Sequence, residues 1–342
     1  MGMEGYLPSW STLAKGSFGT AVVMVGGTLG ALYYGQSALI YPSSVPQGSR
    51  TMVPKPSQYG MPYEDVELLT PDNVKLQAYL MLNGYGHEEE KEHYSEPRAM
   101  RRPTVFLLHA NAGNMGHRLP LARIFYLKMH CNVFMLSYRG YGLSEGTPSE
   151  KGIRIDAQTA LQWIVNHPVL KDTKIFLYGQ SLGGAVAIDL ASHYPALIHA
   201  VIVENTFLSI PKLIPNVLPL LQPVSFLCHQ VWDSEKRIQS IPSSMPMLFL
   251  AGKRDELVHP SHMMRLFELA CRAEEGEKAP AVVKGRVVVE EQDGKVNADG
   301  EVEVDVGRER RVWWECEGGT HNDTCAQPGY WDTVRNFVSR WR

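Results

Sequence analysis

The sequence predicts an α/β fold: a mostly parallel central sheet with helices on both faces, preceded by an N-terminal membrane-spanning helix. Three observations predict it. From Pro103 onward, short apolar runs alternate with stretches whose apolar residues recur at helical spacing. One such run leads into Gly179-Gln-Ser181-Leu-Gly183 and then at once into a small-residue helix, Gly184 to His193. At the other end of the chain, Phe18 to Tyr41 is mostly apolar or small, and no charged residue occurs between Lys15 and Arg50.

The totals set the frame. A chain of 342 residues with 44% hydrophobic content can bury a substantial core. The net charge of −3, with no basic stripe interleaved with aromatics, argues against a nucleic-acid partner. The five cysteines (Cys131, Cys228, Cys271, Cys316, Cys325) are odd in number and scattered. They form neither a disulfide framework nor a zinc spacing. No Gly-x-Gly-x-x-Gly follows a strand and no His-Glu-x-x-His occurs, so neither a nucleotide cofactor nor a metal is expected. Lys295 to Gly300 fails as a calcium loop, with Lys295 where the first carboxylate belongs and Val306 where the bidentate glutamate belongs.

Taken in order, residues 1–42 read as a tail and transmembrane anchor. As a helix, residues 18–41 would be about 36 Å long, enough for a hydrocarbon core of about 30 Å. Tyr33, Tyr34 and Tyr41 suit an interfacial belt. Residues 43–62, rich in Pro, Ser and Gly, read as a linker, and residues 63–342 as the folded domain. Two alternating runs around Thr70-Pro-Asp-Asn73 predict a hairpin. Gly84 to Arg102 reads as a charged, solvated loop. Strands are expected at Thr104–His109, Asn132–Tyr138, Lys174–Tyr178, His199–Val203, Met247–Ala251 and Val312–Cys316. Helices are expected between them and at Tyr330 to Trp341. Two stretches break the alternation. Residues 207–246 hold leucines and isoleucines among prolines, and read equally as a cap over a site or as a broken helix packed on the sheet. Residues 273–311 read as an acidic surface insertion.

Buried parallel sheets bind ligands at the carboxyl ends of their strands, so the chemistry is expected at the strand ends. Gly179-x-Ser181-x-Gly183 between strand and helix is the pattern of a nucleophile elbow, in which Ser181 sits on a sharp turn at the sheet edge. A serine needs a base, the base needs an orienting acid, and the oxyanion needs donors. The expected chain order is Ser, acid, His. Of His229, His259, His262 and His321, only His321 follows a strand and precedes the terminal helix, in Glu317-Gly-Gly-Thr-His321. Asp255, just after Met247–Ala251, is the candidate acid, with Glu256 as runner-up. Oxyanion donors are expected from the backbone N–H of Leu182 and of Asn111, the latter in the loop after the first parallel strand. Arg139 to Gly146 reads as a structural turn at the mouth of the site.

With these residues in hand, the chain resembles serine hydrolases of the α/β-hydrolase superfamily, and within it the fungal bud-emergence suppressor family and the animal abhydrolase-domain proteins closest to it. The shared stretches are His109-Ala-Asn-Ala-Gly-Asn-Met-Gly-His-Arg118, Tyr138-Arg-Gly-Tyr-Gly, Gly179-Gln-Ser-Leu-Gly-Gly184, Glu204-Asn-Thr-Phe-Leu-Ser-Ile-Pro211 and Gly319-Thr-His-Asn-Asp-Thr324. The resemblance implies an α/β-hydrolase fold with Ser181, Asp255 and His321 as a triad. It also implies a single anchoring segment, and so a single-pass protein of the endoplasmic reticulum or plasma membrane. The substrate it implies is a small-molecule, lipid or acyl-protein ester or thioester. A non-catalytic scaffold on the same fold, or a peptidase, are the alternatives. Ala110 stands where the family usually has Gly, adding a methyl beside the oxyanion loop. The sequon Asn322-Asp-Thr324 sits beside the predicted base, which argues against its modification.

Overall fold

The apolar runs become strands because each can be covered on both faces. The computed structural model describes residues 10–84, 95–272 and 310–342, with no account of the side chains of residues 10–19, 21 and 22. In chain order the elements are helix α1 (Trp10–Ile40), strands β1 (Glu64–Leu69) and β2 (Lys75–Met81), helix α2 (Glu96–Ala99), β3 (Thr104–Leu108), α3 (Leu119–Lys128), β4 (Asn132–Leu136), α4 (Glu150–Asn166), β5 (Ile175–Gln180), α5 (Leu182–His193), β6 (Ala200–Glu204), α6 (Ile210–Val217), α7 (Ser234–Arg237), β7 (Met247–Gly252), α8 (Ser261–Arg272), β8 (Arg311–Cys316) and α9 (Tyr330–Trp341). The eight strands form one sheet in the order β1-β2-β4-β3-β5-β6-β7-β8. β1 and β2 are the predicted hairpin, and β2 runs antiparallel to β4. Every other pairing is parallel.

Alternation along the buried strands divides the core in two. Phe106, Leu108, Phe134, Leu177, Val201 and Phe249 face one side, toward α4, α5 and α8. Val105, Leu107, Val133, Tyr178, Ile202 and Leu248 face the other, toward α3 and α9. Each large apolar side chain buried in this way stabilises the fold by roughly 1.5–3 kcal/mol relative to exposure. Ser149 caps α4 by accepting from Gly152 N at 3.1 Å, which places the helix start beside the turn that follows β4. That turn is structural, as its sequence suggested. Arg139 is 7% exposed and bridges Asp72 of the β1–β2 turn to Asp156 of α4. Residues 43–62 run across the domain surface beside the loop after β3: Asn114 Nδ2 donates to the carbonyls of Ser49 and Met52, and Gly113 N donates to Val45 O. The charged loop falls partly on residues 85–94 and the acidic insertion on residues 273–309, which lie outside the described residues.

The expectation of a membrane-spanning anchor over residues 18–41 is corrected. The helix is there, and at 31 residues it is long. Yet among the described residues no helix is both long and apolar enough to cross a membrane. Gly26, Gly27, Gly30 and Gly35, with Thr28, Gln36 and Ser37, dilute its hydrophobicity. Its C-terminal turns are instead docked on the domain. Gln36, buried, accepts from His229 N at 2.8 Å and Gln230 N at 3.2 Å and donates to Leu227 O at 3.2 Å. Tyr41 is 3% exposed, and its hydroxyl donates to Gln230 Oε1 and accepts from Trp232 Nε1. The turns before these, Val23 to Val25, are exposed. The membrane partner, the single-pass topology and the placement in the endoplasmic reticulum or plasma membrane fall with the anchor.

Candidate active site

Ser181 lies between β5 and α5 with φ 52° and ψ −117°, a conformation that costs a non-glycine residue of the order of 1–3 kcal/mol. Close packing around it explains why glycines flank it. A Cβ on Gly179 would lie 2.1 Å from Gly183 O, and one on Gly183 would lie 2.0 Å from Leu108 O. The strained peptide is clamped from β6 and the loop beyond it. Ser181 N donates to Glu204 O at 2.9 Å, and Thr206 Oγ1 donates to Ser181 O at 2.7 Å.

The acid and base candidates come from the next two strand ends. Asp255 follows β7 and is 7% exposed; His321 follows β8 and is 6% exposed. His321 Nδ1 lies 2.8 Å from Asp255 Oδ2 and 3.0 Å from Oδ1. Asp255 Oδ1 also accepts from Leu257 N at 2.9 Å and Val258 N at 2.8 Å, which fixes the carboxylate plane. With the carboxylate on Nδ1, that nitrogen carries the proton and Nε2 is left as an acceptor. Glu256, the runner-up, does another job: its Oε2 accepts from the backbone N of His321 at 3.2 Å. The residue before Ser181 is tied to the base loop, since Gln180 Nε2 donates to His321 O at 2.9 Å.

The other histidines are elsewhere. His262 lies on α8, where its Nδ1 accepts from Leu208 N. His259 pairs with Ser261, and the His229 ring donates to Tyr33 O of α1. Burial pulls the pKa of His262 below the ordinary imidazole value.

Leu182 is the first residue of α5, so its N–H has no acceptor within the helix. Asn111 sits in the turn after β3, half-buried. Its side chain is held at both ends: Tyr141 OH donates to Oδ1 at 2.7 Å, and Nδ2 donates to Ile40 O at 2.6 Å. The last residue of α1 therefore touches the loop expected to supply an oxyanion donor. His109 supports that loop from below. Burial drives its pKa down to about 3. The neutral ring donates from Nδ1 to Ala110 O at 2.7 Å, leaving Nε2 to accept from Tyr138 N. The extra methyl of Ala110 is buried in this arrangement.

Sequence reasoning missed Tyr141, Ile40 and Asn205. Tyr141 and Asn205 fall in stretches quoted for the resemblance, but only the folded chain shows what their side chains hold. Asn205, just past β6, is 1% exposed with φ 45°, and its side chain spans the loops of Asp255 and His321.

Comparison with known proteins agrees with this architecture. The family described as alpha/beta hydrolase fold matches residues 103–225. Protein bem46 of Schizosaccharomyces pombe is 41% identical over 326 residues, covering 95% of this chain and 92% of that protein. A Saccharomyces cerevisiae chain described as an uncharacterized membrane protein is 36% identical over 326 residues, covering 95% of this chain and 96% of its own length. Among solved structures, an esterase of Pyrococcus furiosus superposes with a TM-score of 0.60 at 20% identity, covering 85% of this chain and 98% of that one, which shows a shared fold. With a relative this similar across nearly its whole length, and a mixed, mostly parallel sheet of the right order, the chain belongs to the bem46-like family of the α/β-hydrolase superfamily and is a hydrolytic enzyme of that superfamily.

Proposed function

We propose that the chain is a serine hydrolase of carboxylic esters or thioesters. Ser181 Oγ attacks the acyl carbonyl while His321 Nε2 takes its proton. Asp255 holds Nδ1–H and stabilises the imidazolium that forms. The oxyanion is received by the N–H groups of Leu182 and Asn111. Collapse of the tetrahedral species expels the alcohol or thiol, which takes the proton from His321 and leaves an acyl-enzyme on Ser181. Water, deprotonated by the same histidine, then releases the acid and restores the serine. The observation that carries this reading is the His321–Asp255 contact at 2.8 Å, together with a serine held in elbow geometry whose preceding residue bonds the His321 carbonyl. That an esterase shares the fold is consistent with it.

A hollow of about 60 Å3 supports an acyl substrate. It lies between the last turns of α1 and the segment after α6, lined by Leu39, Ile40, Ile214, Leu218 and Leu221 among others. Ile40, one of its lining residues, accepts from Asn111 Nδ2 through its carbonyl. An apolar hollow linked through Ile40 to the Asn111 side chain suits the hydrocarbon part of an acyl group.

The test is a panel of p-nitrophenyl esters and acyl thioesters of increasing chain length, with wild type and Ser181→Ala. The expected result is turnover lowered about 10⁴-fold or more in the variant. From acetyl to hexanoyl, kcat/KM should rise at least tenfold, as burial of about 0.8 kcal/mol per methylene allows. Equal turnover by Ser181→Ala would refute the mechanism, and a flat chain-length profile would refute the acyl role of the hollow.

A further inference from the structure

The short run Glu204-Asn205-Thr206 touches the loops of all three candidate catalytic residues, and one side chain does most of the joining. On the nucleophile side, Glu204 O accepts from Ser181 N and Thr206 Oγ1 donates to Ser181 O, so the elbow is held from both flanks of Asn205. On the acid side, Asn205 N donates to Leu250 O at 3.1 Å, and Asn205 Oδ1 accepts from Gly252 N at 2.9 Å, at the end of the strand that leads to Asp255. On the base side, Asn205 Nδ2 lies 3.2 Å from Thr320 O, 3.3 Å from His321 O and 3.0 Å from Thr324 Oγ1. The amide is 1% exposed, and both its oxygen and its nitrogen are used. The residue also sits in the left-handed region at φ 45°, where asparagine is among the few side-chain-bearing residues commonly tolerated.

We infer that Asn205 is a positioning residue: its amide fixes where the His321 loop stands relative to Asp255 and Ser181. This inference rests on the serine-hydrolase reading above. Asn205 does not touch the reacting atoms. It acts by holding two loops and an elbow in one register, where a misplacement of about 1 Å costs about 100-fold in rate.

Asn205→Gly removes the amide while suiting the positive φ, so the backbone is not strained by the change. Asn205→Asp keeps the acceptor for Gly252 N but turns an oxygen toward the carbonyls of residues 320 and 321. Both variants are expected to lower kcat about 10- to 100-fold with KM within threefold of wild type. The fraction of sites titrated by a fluorophosphonate at long reaction times should be unchanged. A low-field proton resonance of His321 Nδ1–H is expected in wild type from its bond to Asp255, and it should broaden or shift in both variants. The pH dependence of kcat/KM should move with it.

A kcat within threefold of wild type in both variants, together with an unchanged His321 resonance, would overturn the inference. If instead Asn205→Gly lost titratable sites in proportion to activity, its role would be stability alone, and the inference would fall equally. The hydrolase reading is tested separately. If wild type neither turns over esters nor labels at Ser181, that reading falls and the catalytic meaning of Asn205 falls with it. If wild type does both and the variants match it, only the role of Asn205 is lost.

Discussion

Replacing Asp255 by asparagine isolates what the carboxylate does, because the site dictates how the new amide must lie. Oδ1 accepts two backbone N–H groups, from Leu257 at 2.9 Å and Val258 at 2.8 Å, so only an oxygen fits there. The amide oxygen of Asp255→Asn takes that place. The NH2 group then occupies the Oδ2 position, 2.8 Å from His321 Nδ1. It donates to Nδ1, which forces the ring proton onto Nε2, the atom that accepts the serine proton in the proposed mechanism. The geometry survives and the tautomer is wrong. A change of this kind costs about 10⁴-fold in kcat, or about 5 kcal/mol of transition-state stabilisation. The assay is p-nitrophenyl acetate hydrolysis, with thermal unfolding alongside to show that the fold is retained. Glu256→Gln serves as the internal control and should lose less than tenfold, since the carboxylate of Glu256 accepts from the backbone N of His321. A loss of less than tenfold in Asp255→Asn, or a larger loss in Glu256→Gln, would refute the assignment of roles.

Two predictions concern stability. Arg139→Met leaves Asp156 buried without its guanidinium and should cost about 3–5 kcal/mol in urea unfolding. Adding Asp156→Leu should recover most of that, and a single variant within 1 kcal/mol of wild type would contradict the bridge. Glu204 is fully buried and accepts from Tyr178 OH at 2.6 Å and Tyr330 OH at 2.5 Å, and burial raises its pKa above the ordinary carboxylate value. A raised native pKa means the folded state keeps the proton longer than the unfolded chain. Its contribution is therefore complete below the unfolded value of about 4.3 and is lost as pH rises through the native one. Glu204→Gln cannot ionise, so its melting temperature relative to wild type should climb from acid to neutral pH; a difference independent of pH would count against this.

Much of the fold could be read from residues alone, and the reasons are physical. Thr104–Leu108, Ile175–Gln180 and Met247–Gly252 are buried on both faces, so their sequences are continuous apolar runs with no competing period. The elbow is legible because its glycines are demanded by backbone contacts near 2 Å. The loops of Asp255 and His321 are legible because each follows a recognisable strand. The setting of the N-terminal helix was not, because apolar content reports that a helix shuns water and not what covers it. Here the cover for its last turns is Gln36, Tyr33 and Tyr41 meeting the 227–232 segment. The work of Asn205 and Tyr141 was out of reach for a different reason. Their partners lie far along the chain, at residues 252, 320, 321 and 324 for Asn205 and at Asn111 for Tyr141, and no local pattern encodes such contacts.

The central claim is that Ser181 is the nucleophile, and covalent labelling tests it most directly. The full-length protein is treated with a fluorophosphonate, digested, and the adduct mapped by mass spectrometry. One adduct per chain is expected, on Ser181, absent from Ser181→Ala and formed far more slowly in His321→Ala. No adduct on the wild-type protein, or equal labelling of Ser181→Ala, would contradict it.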